Sequence, residues 1–120
     1  MGDFRDLRVW GEAKSLAVYI YSLTAEGKLT KDYGLRDQLQ RSAVSVCSNI
    51  AEGDGRGSDK DAVKFLYIAR GSLAELITQM EIAAEIGYLS VTVLKEFQTR
   101  SLLVGRMLGA LIKARTATDR

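Results

Sequence analysis

Six polar side chains at helical spacing are the residues whose types could act together chemically. They lie in two segments, and they are Asn49, Glu52, Arg56, Ser72, Glu75 and Gln79. Carboxylates on two facing helices, such as Glu52 and Glu75, could serve as a general acid and a general base. Carboxylates inside helical bundles more often bind arginine, serine or asparagine, and a buried amide needs partners because leaving it unpaired costs about 1–3 kcal/mol. We therefore expect a structural polar network and no enzymatic activity.

Lys95, Arg106 and Lys113 form the second candidate group. Their separations of 11 and 7 residues place them within about 20° of one another around a helix. Such a stripe of cations could bind the phosphates of RNA, although an ordinary solvated helix face has the same composition. Because the stripe has no aromatic platform beside it, we expect contacts to the nucleic-acid backbone and little reading of the bases.

Metal and nucleophile chemistry is limited by the residue types present. Histidine is absent, and cysteine occurs once, at Cys47. Metal sites that combine glutamate with histidine are therefore excluded, and no cofactor is expected. Cys47 has no histidine to act as its base, so packing is its expected role, and a lone cysteine fits the reducing cytoplasm. The segment GDGRGS at residues 53–58 lacks the ending of a P-loop and predicts a helix stop at Gly53 and an N-cap at Ser58.

The composition predicts one globular domain over residues 1–120. The chain is 47% hydrophobic, contains no proline and has a net charge of +2. A lack of proline favours long helices, and no uncharged apolar stretch reaches the roughly 18 residues that would suggest a membrane span. The sequence also predicts no signal peptide. The charge is uneven, because residues 1–87 carry 11 basic and 13 acidic side chains whereas residues 88–120 carry 6 and 2.

Apolar residues at helical spacing predict four amphipathic helices, at about residues 6–25, 33–52, 59–86 and 90–113, the last with Ser90 as its N-cap. Short connections between them predict an all-α, antiparallel up-down-up-down four-helix bundle. The alternative is a pair of helical hairpins that associate between chains. Residues 114–120 are expected to fray, and Arg100 is expected to pair with an acid such as Glu75 or Glu81.

The second predicted helix carries an additional strip of small or apolar residues, which includes Val44, Cys47 and Ala51. Gly71 lies in mid-helix, where glycine costs about 1 kcal/mol relative to alanine, and its presence suggests that another backbone comes close. We therefore predict that Val44, Cys47, Ala51 and Gly71 form a subunit contact.

Three segments of the sequence resemble a known family. They read FRDLRVWGEA near the start, YGLRDQLQRSAVSVCSNIAEGDGRGS in the middle and FLYIARGSLAELITQMEIAAEIGYLS after it. They are similar to bacterial four-helix-bundle proteins encoded by intervening sequences within 23S ribosomal RNA genes, which are often described as ribosomal-protein-like. The resemblance covers about residues 4–90. The usual Phe-Pro pair between the first two helices is missing, and Gly27 and Leu29 stand in its place.

The resemblance implies an antiparallel four-helix bundle that assembles as a homopentamer around a central channel. A more distant similarity is to the accessory protein of diversity-generating retroelements, a basic pentamer that binds a reverse transcriptase and nucleic acid. The family's own biochemical role is not established, and it offers no active site to transfer. Two hypotheses remain: an assembly protein that binds RNA or a ribonucleoprotein, and a structural or protein-partner module with no nucleic-acid role.

Overall fold

Four long helices account for most of the chain in the computed structural model, which describes residues 3–118. Their bounds are Arg8–Thr24 (α1), Tyr33–Asp54 (α2), Asp59–Glu85 (α3) and Val91–Thr118 (α4). Two short 3-10 helices, Phe4–Asp6 and Gly27–Thr30, precede α1 and α2. The predicted helix bounds agree with these to about two residues, except at the C-terminal end of α4.

Serine side chains cap the N-termini of α3 and α4, because the first backbone N–H groups of a helix have no partner inside it. The Ser58 hydroxyl accepts a hydrogen bond from the Asp61 N–H at 3.2 Å, and the Ser90 hydroxyl accepts one from the Val93 N–H at 3.2 Å. Both N-caps were predicted from the sequence and are confirmed. Gly87 follows α3 with a φ of 85°, which is a conformation that glycine adopts without strain.

All four helices contribute to one apolar core. Its fully buried members include Leu16, Ile20, Leu39, Ile50, Leu66, Leu76, Met80, Phe97 and Leu108. Ser42 of α2 bonds to Gln79 of α3, and Ser45, which comes later in α2, bonds to Ser72, which comes earlier in α3. These helices therefore run antiparallel, and the predicted all-α four-helix bundle is confirmed. No helix within residues 3–118 has both the length and the apolar composition that a membrane crossing needs.

The predicted helix stop at Gly53 is wrong. Gly53 lies inside α2, which continues to Asp54, and its φ is not positive. The glycine is buried because α3 comes very close to it. A Cβ atom at this position would lie 3.0 Å from the Ala62 carbonyl oxygen and 3.1 Å from the Phe65 Cβ atom. Glycine is therefore required at this position because α3 packs closely against α2, and not because the helix ends here.

The predicted fraying of residues 114–120 is wrong for residues 114–118, and the rest of that segment lies outside the described residues. Helix α4 continues to Thr118 and is held at this end by Arg115. The Arg115 guanidinium lies 3.0 Å from the Asp54 carboxylate and 3.5 Å from the Asp59 carboxylate. This arginine therefore ties α4 to the end of α2 and the beginning of α3.

Candidate nucleic-acid interface

The basic stripe predicted from the sequence consists of Lys95, Arg106 and Lys113 on α4. All three side chains are exposed, and none of them forms an ion pair with a described residue. At 1.5 Å per residue, the stripe extends for about 27 Å along the helix. Leu102 lies between the first two cations at the same helical spacing and is also exposed. The stripe is therefore an open surface of positive charge.

Several other cations of the molecule are already neutralised by nearby acids. Arg56 pairs with Glu52 at 2.8 Å, and Arg115 lies between two aspartates. Lys64 lies 3.7 Å from Asp61. Charges paired in this way attract a polyanion less strongly than unpaired ones, because a neighbouring acid reduces the local potential. The three cations of the stripe have no acidic partner of this kind among the described residues, as is also true of several exposed lysines elsewhere on the molecule.

An aromatic residue of α1 lies beside the first cation of the stripe, which the sequence did not predict. The Tyr19 ring lines a shallow depression of about 520 Å³ together with Lys95. The remaining lining residues all come from the beginning of α4, and they are Thr92, Val93, Glu96 and Thr99. The expectation that the stripe lacks a neighbouring aromatic is therefore wrong at this end. It considered residues of α4 alone, whereas the ring comes from a neighbouring helix.

Arg100 packs on the Tyr19 ring that lines this depression. Its guanidinium carbon lies 4.5 Å above the centroid of the Tyr19 ring, and its Nε atom lies 3.4 Å from the Glu96 carboxylate. The Tyr19 hydroxyl donates a hydrogen bond to the Val93 carbonyl oxygen over 3.5 Å. Burial raises the pKa of Tyr19, and the Glu96 carboxylate raises it further. The tyrosine therefore stays a neutral hydrogen-bond donor at physiological pH.

Arg100 pairs with an acid, as expected, but the partner is Glu96 and not Glu75 or Glu81. Arg100 lies on the side of α4 that faces α1, as its contact with Tyr19 shows, whereas Glu81 lies near Gln98 on the side that faces α3. Helical spacing places a residue at an edge of the buried face. It does not tell which neighbouring helix covers that edge.

The six residues of the predicted polar network fall into separate groups. Asn49 donates to the Ser45 carbonyl oxygen at 2.8 Å and to its hydroxyl at 3.0 Å, within the same helix. The Ser45 hydroxyl lies 2.8 Å from that of Ser72, which joins α2 to α3. Farther along, Ser42 donates to Gln79 at 2.7 Å. Among the described residues, every buried side-chain nitrogen or oxygen has a hydrogen-bond partner.

Glu75 and the Glu52–Arg56 pair lie apart from these serine contacts. Glu75 is exposed and lines a groove of about 290 Å³ between α2 and α3, together with Arg41. Glu52 is exposed too, and the guanidinium of its partner Arg56 lies 4.3 Å above the Phe65 ring. The antiparallel register places Glu75 near residues 42–45 of α2. The two carboxylates considered for acid–base chemistry are therefore not brought together at one site.

The residues predicted as a subunit contact lie on two different surfaces. Val44, Cys47 and Ala51 follow the edge of α2 beside α1, where Lys14 is close enough to influence the Cys47 thiol. Burial is the largest influence on that thiol and raises its pKa. Gly71 is exposed on α3, and a Cβ atom there would have no neighbour within 4 Å among the described residues beyond the backbone of its own helix. The assignment of these residues to a subunit contact stays a prediction.

Comparison with known proteins gives the family. The model of the 23S rRNA-intervening sequence protein family matches residues 5–110 of the chain. The chain belongs to this family. A solved structure from the S23 ribosomal protein family of Bacteroides thetaiotaomicron VPI-5482 matches this family member with a TM-score of 0.80 and 24% sequence identity. The match covers 88% of this chain and 98% of the other, whose function is described as unknown, so it supports the fold alone. None of the curated proteins matches this chain.

Proposed function

We propose that this family member is a non-catalytic, homo-oligomeric scaffold of the cytoplasm that binds RNA through the basic stripe of α4. The observation that carries the proposal is the stripe itself. Lys95, Arg106 and Lys113 are exposed on one face and have no acidic partner among the described residues. Unpaired cations spaced along a helix bind phosphates and release counterions from the nucleic acid.

Three cations in one chain give only weak binding, so the oligomer matters to this proposal. The family resemblance implies a pentamer, in which the stripe would occur five times. Linked copies convert later contacts into intramolecular ones and raise the overall affinity without any new contact. The proposed partner is therefore an RNA long enough to reach several copies of the stripe.

A second candidate function, docking of a protein partner, has its own observation. Two exposed apolar side chains, Tyr21 on α1 and Val44 on α2, are 47% and 39% exposed, respectively. They line one depression of about 540 Å³ together with polar residues that include Arg41. Adjacent exposed apolar groups of this kind are found at protein–protein contacts. This surface lies away from the stripe on α4, so one molecule could use both surfaces.

Charge reversal at the stripe tests the RNA-binding proposal. The test protein carries Lys95→Glu, Arg106→Glu and Lys113→Glu. Its control carries Lys28→Glu, Lys31→Glu and Lys60→Glu, which change exposed lysines elsewhere. Each set lowers the net charge from +2 to −4, since every reversal removes two units.

Both variants are titrated into a fluorescently labelled ribosomal RNA fragment at low salt, and binding is followed by anisotropy. We expect the stripe variant to lose at least about tenfold in affinity, and the control to lose much less, because short-range phosphate contacts add to the effect of overall charge. Equal losses in both variants would show that net charge alone is responsible and would contradict the placement on α4.

A further inference from the structure

The depression beside Lys95 has the components of a site for a single nucleobase. The Tyr19 ring lines it, with the Arg100 guanidinium packed over the ring, and unpaired bases in RNA stack on aromatic rings. Thr92 and Thr99 line the same depression, and the Thr99 hydroxyl donates to the Lys95 carbonyl oxygen at 3.1 Å. Because Lys95 lines it as well, the depression is continuous with the stripe of α4.

A carboxylate lies among the cations around the depression, so it is not simply an extension of the phosphate-binding surface. Glu96 lines it and contributes a negative charge, which would repel a phosphate. Arg100 lies 3.4 Å from one oxygen of that carboxylate, and Lys95 supplies a second cation on the same rim. A neutral group with hydrogen-bond donors fits this arrangement better than an anion does.

The acceptor capacity of Glu96 limits which base can bind. Arg100 contacts its Oε1 atom, which leaves lone pairs on both oxygens for further donors. Guanine presents two adjacent N–H donors on its Watson–Crick edge, which match the two oxygens of a carboxylate. Uracil presents one N–H donor between two carbonyl oxygens, and these oxygens would face the negative carboxylate.

We propose that this depression, lined by Tyr19, Lys95 and Glu96, binds one unpaired guanine of the RNA whose backbone follows the stripe. The inference rests on the proposed RNA-binding function and adds the preferred base to it. Tyr19 supports the base by stacking, Glu96 accepts from its Watson–Crick edge, and Lys95 holds the adjoining phosphate. The preferred RNA is therefore single-stranded or looped at this point, since a paired guanine has no free Watson–Crick edge.

The first test compares two labelled RNAs, an oligouridine of about ten nucleotides and the same oligomer with one central guanine, a length within the usual range for single-strand sites. The wild-type protein should bind the guanine-containing RNA several-fold more tightly at equal salt. Replacing the guanine with inosine removes one of the two donors and should remove most of this preference. Equal affinities for all three RNAs would overturn the inference.

The second test uses two pairs of variants. Tyr19→Leu should weaken binding of the guanine-containing RNA about tenfold, whereas Tyr67→Leu, a matched change of an exposed tyrosine on α3 that also lies under an arginine, should not. Glu96→Gln should equalise the affinities for guanine and uracil, whereas Glu75→Gln, a change of an exposed carboxylate on α3, should leave the preference intact. Tyr19→Phe keeps the ring and should bind like the wild type, which guards against a trivial loss of folding in Tyr19→Leu.

The outcomes separate this inference from the proposed function. If reversal of the stripe abolishes RNA binding while Tyr19→Leu and Glu96→Gln leave affinity and base preference unchanged, the guanine site is refuted and the RNA-binding function stands. If the wild-type protein binds none of the RNAs at low salt, both are refuted. A guanine preference that disappears in Glu96→Gln and persists in Glu75→Gln supports the site.

Discussion

Two glycines on neighbouring helices should respond in opposite ways to the same substitution by alanine. Gly53 in α2 is buried, and an added Cβ atom would lie 3.0 Å from the Ala62 carbonyl oxygen and 3.1 Å from the Phe65 Cβ atom. Gly71 in α3 is exposed, and apart from the surrounding backbone of its own helix no described atom lies within 4 Å of the position that a Cβ would occupy. The pair therefore separates the intrinsic helix preference of alanine from the cost of overpacking.

The expected magnitudes follow from two opposing contributions. Alanine in a helix interior is favoured over glycine by about 1 kcal/mol. At Gly71 nothing opposes this gain, so Gly71→Ala should raise the free energy of unfolding by about 0.5–1 kcal/mol. At Gly53 the close contacts add an overpacking cost of about 1–3 kcal/mol. Because one contact is a backbone carbonyl that cannot rotate away, Gly53→Ala should be destabilising by about 1 kcal/mol net.

Urea unfolding followed by circular dichroism measures both variants against the wild type at one fixed protein concentration, because association would otherwise change the apparent stability. In thermal unfolding, we expect the two midpoints to move in opposite directions by about 4 °C each for a protein of this size. A Gly53→Ala protein as stable as the wild type would refute the close approach of α3. A destabilised Gly71→Ala protein would show instead that a second chain packs on this glycine.

Three further predictions concern other parts of the bundle. Replacing Arg115 with methionine removes its contact to Asp54, whose side chain is 16% exposed. The free energy of unfolding should fall by about 1–2 kcal/mol, a value between those of exposed and buried ion pairs. An unchanged urea midpoint would contradict the contact between α4 and α2. Burial raises the pKa of Cys47, so less of it is thiolate at pH 8 in the native protein than in the unfolded chain. The thiol should therefore react with a disulfide reagent more slowly in the native protein than in urea. Equal rates in the two states would contradict this. Val44→Lys should lower the mass measured by light scattering after size exclusion if the strip on α2 is a subunit contact, and an unchanged oligomeric mass would exclude that strip.

The sequence predicts the bundle well because helical periodicity is a local property. Apolar residues three and four apart, such as Val104 and Leu108, identify the buried face, and serines such as Ser58 identify helix starts. These signals need no knowledge of which helices are neighbours. The three cations of the α4 stripe were also correctly predicted to lie on one face, because all three belong to the same helix.

Relations between helices were predicted less well. Asn49 and Glu75 were predicted to belong to one polar network. The antiparallel register that joins Ser45 to Ser72 instead places Glu75 beside a different part of α2. Arg100 faces Tyr19 of α1, and Leu29, which lies in the connection between α1 and α2, is buried in the core. In each case the decisive contact is with a residue distant in sequence, and a single sequence carries no direct signal for it.

The salt dependence of RNA affinity tests the central claim most directly. Dissociation constants for an unstructured RNA are measured from low to moderate salt with the wild type and with the variant in which Lys95, Arg106 and Lys113 are glutamates. If three phosphates are neutralised per chain, the logarithm of the association constant should fall with the logarithm of salt concentration with a slope of about −2 per bound chain. The account predicts this slope for the wild type and a slope near zero for the stripe variant. Equal slopes for the two proteins would show that RNA binds elsewhere and would contradict the account.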